Sequence, residues 1–438
     1  MLKKVADAFK VADIRRRMLF ILLCLVIIRL GSQIPVPGVD TNYFSEWFAQ
    51  QSGSAFNFFD AFTGGSFSNF SILALSITPY ITSSIIMQLL TIAIPALEEM
   101  HRDGEDGRKK ITAITRYLTI GLSLMESAAM TIGFGRQGLI PDMTFAKGVV
   151  VVACLTAGSA FLMWIGEQMT EKGIGNGISM VLLINIISRL PSDLTKLYTQ
   201  FVSTKTIARG ALAAIIIIAI IIALLVLVII LNDATRQIPV QYSKKMVGHR
   251  MAGGASSHIP LKVNTAGVIP IIFASSIMSF PGIIATFAGK SNAQGWFGTL
   301  LGILNDNNWF TLARPIYNIG LVIYIVLVIF FAYFYTSITF NPLEVADNLK
   351  KQGGFVPGIR PGKPTSDYLN KVLNYIIFIG ACGLVIIAII PFFFNGVFGA
   401  CVSFGGTSII IIVSVVLETL KQVDSMMVVR NYKGFLND

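Results

Sequence analysis

The run ALAAIIIIAIIIALLVLVIIL, Ala211 to Leu231, holds no polar side chain. An α-helix rises about 1.5 Å per residue, so this run alone crosses the roughly 30 Å hydrocarbon core of a bilayer. On either side of it, nine further apolar blocks of similar length begin near Met18, Ile72, Ile111, Gly148, Gly177, Thr265, Ile316, Leu373 and Cys401. The 438 residues are 54% hydrophobic and only 13% charged, a balance unsuited to a soluble protein. The expected fold is all-α and integral to the membrane, with ten transmembrane helices. Two blocks are short: Met18 to Ile28 soon meets Arg29, and Gly177 to Leu190 is expected to stop at Pro191.

The basic N-terminus and first apolar block have the look of a signal peptide, but no small-x-small cleavage site follows Arg29, so the block reads as a retained first span. Lys and Arg outside the spans set orientation. The N-terminal tail and the segments after even-numbered spans carry 24 of them, and the segments after odd-numbered spans carry 8. The even segments and both termini are therefore expected in the cytoplasm. The net charge of +11 gathers in those loops, where anionic lipids are natural partners. Cys24, Cys154, Cys382 and Cys401 lie in or at the ends of apolar blocks without CxxC spacing, and read as small core hydrophobes.

Between spans 1 and 2, the segment AFNFFDAFTGGSFSNF (Ala55 to Phe70) is too short to span. Gly64-Gly65 favours a tight turn, and the phenylalanines want an apolar surface. The segment either folds back into the membrane domain or lies as an interfacial aromatic anchor. Two spans carry an internal proline followed by similar residues, PYITSSIIM from Pro79 and PIIFASSIM from Pro270, identical at five of nine positions. The match pairs span 2 with span 7, the offset of two five-span halves. With an odd number of spans in each, the halves are inverted, an architecture of transporters and channels.

Several chemistries find no support. Glu126, Arg116 and Arg29 fall in or near spans, but no chain of carboxylates runs through the membrane as an ion-coupled carrier would need. Arg29, near a helix end, reads as snorkelling to the interface. GIRPGKPT (Gly358 to Thr365) fails the phosphate-loop pattern at Pro357 and Pro364. Ser179 in GIGNGIS lacks a histidine to activate it, because His101, His249 and His258 all lie in predicted loops. An enzyme is the least supported class, and directional transport would draw its energy from a partner or a gradient.

Four segments together carry a family resemblance: ALSITPYITSSIIMQLL (Ala74 to Leu90), EKGIGNGIS (Glu171 to Ser179), HIPLKVNTAGVIPIIFASSI (His258 to Ile277) and GGFVPGIRPGKPT (Gly353 to Thr365), with GGTS (Gly405 to Ser408) at the start of span 10. In this order and over essentially the whole length the chain resembles the SecY family, the SecY/Sec61-alpha channel subunits of protein translocons. The resemblance implies a protein-conducting hourglass pore between two inverted, pseudo-symmetric halves, residues 18–190 and 211–420. A hinge loop, 191–210, joins them. Cytoplasmic tails lie at 1–17 and 421–438, and cytoplasmic loops at about 232–264 and 339–371.

By motif position, the resemblance implies a pore ring of Ile77, Ile81, Ile178, Leu182, Ile272 and Ile411, with Leu182 departing from the usual isoleucine. Such a ring resists wetting while offering a passing polypeptide no fixed hydrogen bonds, and β-branched side chains keep it stiff. The resemblance further implies a short plug helix at 59–70 (Phe59, Phe62, Gly64, Gly65, Phe67, Phe70). It places a lateral gate between spans 2 and 7 (Thr78, Pro79, Pro270, Ser275, Phe280), and a docking surface for the SecA ATPase or the ribosome (Arg236, Lys244, Lys245, Arg250, Arg360). Its basic side chains would meet ribosomal RNA phosphate or acidic protein. Expected partners are SecE, SecG, SecA, the ribosome, signal peptides and nascent chains, with a membrane insertase and accessory Sec subunits. No cofactor or metal is expected, and the implied location is the bacterial plasma membrane.

Overall fold

A computed structural model describes residues 8–41, 44, 46, 60, 62–136, 138, 140, 144–203, 207–242, 245–247, 250–252, 256–287, 295–305, 308–310, 315–398 and 406–434. Its helices are α1 Ala12–Gly31, α2 Thr78–Ala93, α3 Pro95–Arg102, α4 Glu105–Arg136, α5 Phe145–Lys172, α6 Gly177–Tyr198, α7 Ile207–Asp233, α8 Ile269–Phe287, α9 Trp296–Leu304, α10 Asn318–Thr339, α11 Pro342–Lys351, α12 Lys363–Phe398 and α13 Gly406–Gly434. Each of the ten apolar blocks falls on one of them, leaving α3, α9 and α11 as short connectors.

Length and apolarity alone single out six crossings among the described residues, or seven if Thr78–Ala93 and Pro95–His101, bent by 106°, form one. The remaining blocks fall short of that measure for visible reasons. Helix α1 carries Arg15, Arg16, Arg17 and Arg29, the apolar part of α8 ends at Gly282, and α13 carries Glu418, Lys421 and Asp424. Helices α2, α8 and α13 also bear predicted ring residues. A helix lining an aqueous passage needs less apolarity than one facing lipid. At the other extreme is α7, with 17% of its most apolar stretch buried, and its isoleucines turned outward as lipid contact requires.

Helix packing repeats with an offset of five spans. Helix α2 packs on α4, α4 on α5, and α5 on α6; in the second half α8 packs on α10, α10 on α12, and α12 on α13. Likewise α1 meets α5 and α6, as α7 meets α12 and α13. The halves touch where α6 meets α13 and where α4 meets α8. The proline-marked match of spans 2 and 7 is thus one instance of a duplication that runs through the packing.

Pro191 does not end α6. The helix continues to Tyr198 and through a π-turn, Thr199–Ser203, so the segment expected to be a loop is helical on both sides of residues 204–206. Proline is tolerated in membrane helices where neighbouring groups re-satisfy the backbone. The carbonyl that loses its amide donor to this proline is that of Ile187, four residues earlier, while Thr195 Oγ1 donates to Pro191 O at 2.7 Å in the turn that follows.

The basic loops contain a β-sheet that hydropathy did not forecast. Strands β1 Thr235–Tyr242, β2 Lys245–Val247, β3 Arg250–Ala252, β4 Ser256–Lys262 and β5 Gly354–Phe355 form a three-stranded sheet in the order β4-β1-β5 and a separate β2-β3 ribbon. Thr235 pairs with Lys262, and Gln241 with Phe355, so the two long loops are stitched together. Ile238 and Val240 alternate inward on β1 and pack with Leu261, Leu349, Val356 and Leu369. This period-two burial gives the loops a core of their own.

Candidate pore constriction and plug seat

Local sequence sets the ring residues on their helices. Pro79 opens α2, so Ile77 and Ile81 sit one turn apart at its start. Asn176 caps α6, its Oδ1 accepting from Ile178 N at 3.0 Å and Ser179 N at 3.4 Å. Ile178 and Leu182 then share a face at i, i+4. The glycines of GIGNG are steric necessities: a Cβ on Gly177 would lie 2.1 Å from Gly166 O, and Gly175 holds φ +83°. Gly166 on α5 leaves room for the ring, because a Cβ there would meet Ile178 Cγ1 at 3.3 Å and Ile77 Cδ1 at 3.4 Å.

The six predicted ring residues, drawn from four parts of the chain, meet in one apolar cluster. Ile77, Leu182 and Ile411 are buried in it, with Ile81, Ile178 and Ile272 packed against it. Leu182 takes part like its neighbours, without β-branching. Phe62 of the predicted plug joins the same cluster.

The plug segment is less helical than expected. Asp60, Phe62 and Thr63 lie in helix and residues 64–70 continue as turns, with φ of +67° at Gly64 and +87° at Gly65; Phe59 falls outside the described residues. Its phenylalanines divide between two sites. Phe62 faces the ring cluster, whereas Phe67 and Phe70 pack with Phe44 and Phe134, with centroid separations of 6.2 Å for Phe67 to Phe134 and 4.8 Å for Phe44 to Phe70.

Polar side chains hold this segment; of these, the sequence reading names only Arg29 and assigns it elsewhere. Asn185 on α6 donates from Nδ2 to Phe62 O at 3.1 Å and to Ser76 Oγ at 3.0 Å. Gly64 O accepts from Ser188 Oγ and from Arg29 Nη1, each at 3.2 Å. Arg29 therefore turns inward to Gly64 and does not snorkel. Arg189 pairs with Asp60, whose Oδ1 also accepts from Ser68 N at 2.9 Å. The signal was present only as charge in apolar surroundings, with nothing to say which residues would meet.

Thr78 and Phe280 of the predicted gate line an apolar groove of about 410 Å³ between α2 and α8, together with Phe62, Ile81 and Ile272. Pro79, Pro270 and Ser275 are buried and are absent from its lining. The close packing partners of α8 are α10, α9 and α4, so α2 and α8 face one another across the groove. Toward the basic loops a polar cavity of about 1100 Å³ opens between α2, α4, α10 and α11, lined by Gln88, Thr115, Ser337, Glu344, Asp347 and Lys351 among others.

Among the predicted docking residues, Arg236 is exposed on β1 and Arg360 is exposed in a loop turned by Gly358 and Gly362, at φ +83° and +101°. Thr365 Oγ1 braces that loop by donating to Arg360 O at 2.8 Å. Lys245 opens β2 and Arg250 opens β3, while Lys244 lies outside the described residues.

A duplicated bundle of membrane helices, with an apolar cluster shared by its two halves and a folded-back segment packed against it, is the architecture of a membrane channel. A SecY family pattern matches residues 71–420, and the chain belongs to that family. The protein translocase subunit SecY of Streptomyces galbus is 43% identical over 450 residues, covering 100% of both chains. Among solved structures, a protein-conducting channel superposes with a TM-score of 0.62 at 18% identity, over 92% of this chain and 90% of that one. Sec61 in the canine ribosome-channel complex gives 0.60 at 18% identity, with the same two coverages. At that identity the two structures speak for the fold.

Proposed function

We propose that the chain is the central channel of a bacterial Sec translocon. It passes unfolded secretory polypeptides across the plasma membrane and releases transmembrane segments sideways into lipid between α2 and α8. Both termini and the basic loops face the cytoplasm, where SecA or a translating ribosome supplies the driving force. SecE and SecG are its small membrane partners. The halves 18–190 and 211–420 flank the path.

The observation that carries this reading is the convergence of Ile77, Ile81, Ile178, Leu182, Ile272 and Ile411 on one cluster with Phe62. An apolar collar fits a sequence-blind polymer conductor, since it holds back water and ions yet grips no substrate group. A solute carrier would instead offer polar groups at the midplane. The test is a precursor stalled during translocation, carrying one cysteine, with Ile411→Cys or Ile77→Cys in a channel otherwise free of cysteine. Disulfide formation at both positions, and none at a lipid-facing control such as Ile218→Cys, is expected. Equal yields at ring and control would overturn the reading.

A further inference from the structure

Asp60, two residues before Phe62 of the apolar cluster, has a side chain with 0% exposure, and its partner Arg189 retains 16%. A carboxylate so enclosed is costly unless paired, and Arg189 with the Ser68 N–H supplies the pairing. The two charges join parts that must separate if the plug moves, since Asp60 belongs to the plug and Arg189 to α6. Two further donors from the surrounding wall, Arg29 and Ser188, converge on Gly64 O, and Asn185 holds Phe62 O. Neutral seats often hold as firmly as buried ion pairs, and the best-attested use of such a pair is to fix one register.

We propose that Asp60 and Arg189 are specificity-determining positioning residues: their pairing sets how strong a signal sequence must be to open the channel. This rests on the plug reading of residues 59–70. A strong signal sequence draws enough binding energy from the gate groove to part the pair, and a defective one does not. Because the pair is enclosed, salt screens it little, and the threshold holds across ionic strengths. Burial also predicts an asymmetry. Arg189→Gln strands a fully enclosed carboxylate, whereas Asp60→Asn leaves a partly exposed guanidinium still beside Asp193 and keeps an acceptor for Ser68 N.

The experiment measures resting ion conductance of the reconstituted channel complex and export of a precursor with a defective signal sequence. Arg189→Gln should raise conductance by about tenfold to a hundredfold, and Asp60→Asn by less. Both should admit the defective precursor while exporting the normal one. The double variant, in which neither charge of the pair remains and Asp193 keeps Lys196, should return to within about threefold of the parent, a coupling that simple loss of packing does not give. Arg189→Lys should behave as the parent. Parent-like conductance in both single variants, or a double variant leaking as much as the two effects multiplied, would overturn the proposal. Normal export of the intact precursor certifies that each variant is folded. Removal of residues 59–70 separates the two layers: leak on removal with silent pair variants refutes the latch alone, whereas no leak on removal refutes the plug reading beneath it.

Discussion

Asn185 and Phe62, 123 positions apart, are joined by a side-chain amide donating to a backbone carbonyl at 3.1 Å, with the same Nδ2 reaching Ser76 Oγ at 3.0 Å. One buried amide thus ties α6 to the segment proposed as the plug and to the turn that leads into α2. Asn185→Ala leaves both acceptors without this donor inside the protein, a cost of about 1–3 kcal/mol. That cost falls on the closed arrangement. Resting conductance of the reconstituted channel should rise, and amide hydrogen exchange across residues 62–70 should quicken. Unchanged exchange would show that Asn185 does not hold the segment.

Gly64 sits at φ +67°, and an added Cβ would approach Asn185 O at 2.7 Å and Asn185 Cα at 2.8 Å. Gly64→Ala therefore meets both a left-handed backbone, costing about 1–2 kcal/mol, and a clash with α6. The plug should be displaced from α6, and a disulfide engineered between the two should form more slowly than in the parent. A rate equal to the parent's would place the glycine's role elsewhere.

Ile411 is 2% exposed within the ring cluster. Ile411→Asn introduces an amide into an apolar collar, where hydration of the constriction becomes easier. Precursors with defective signal sequences should then be exported, and Ile411→Leu should keep discrimination near the parent. Unchanged discrimination by the asparagine variant would count against Ile411 as a ring member.

Arg360 is exposed between two turn glycines and its backbone is braced by Thr365, so Arg360→Glu should leave the loop folded while reversing its charge. The initial rate of ATP-dependent precursor uptake with SecA should fall by about tenfold or more, as expected when a partner meets like charge. Resting conductance should stay as in the parent. Normal uptake kinetics would remove Arg360 from the docking surface.

The helices were legible because burial in lipid demands long apolar runs, and Ala211 to Leu231 could be little else. The six residues that meet in the apolar cluster could be singled out only through motifs, since an isoleucine in a span says nothing about which way it faces. Asp60, Asn185 and Arg189 could not be read in advance: their partners are distant in sequence, and a lone charge in an apolar block does not name its counter-charge. Pro191 misled because a rule for isolated helices was applied to a helix inside a membrane bundle, where proline is tolerated. The sheet had a faint local signal, the alternation of Ile238, Val240 and Tyr242, but β5 lies more than a hundred residues further along. The all-helical expectation therefore missed the strands that join the two basic loops.

Reconstitution of the chain with SecE in sealed vesicles, followed by addition of SecA, ATP and a signal-bearing precursor, measures whether protein crosses. The account predicts ATP-dependent accumulation of full-length precursor protected from external protease, and its loss when the vesicles are opened with detergent. Precursor that stays fully digestible with SecA and ATP present, in vesicles shown to hold the folded channel, would contradict it.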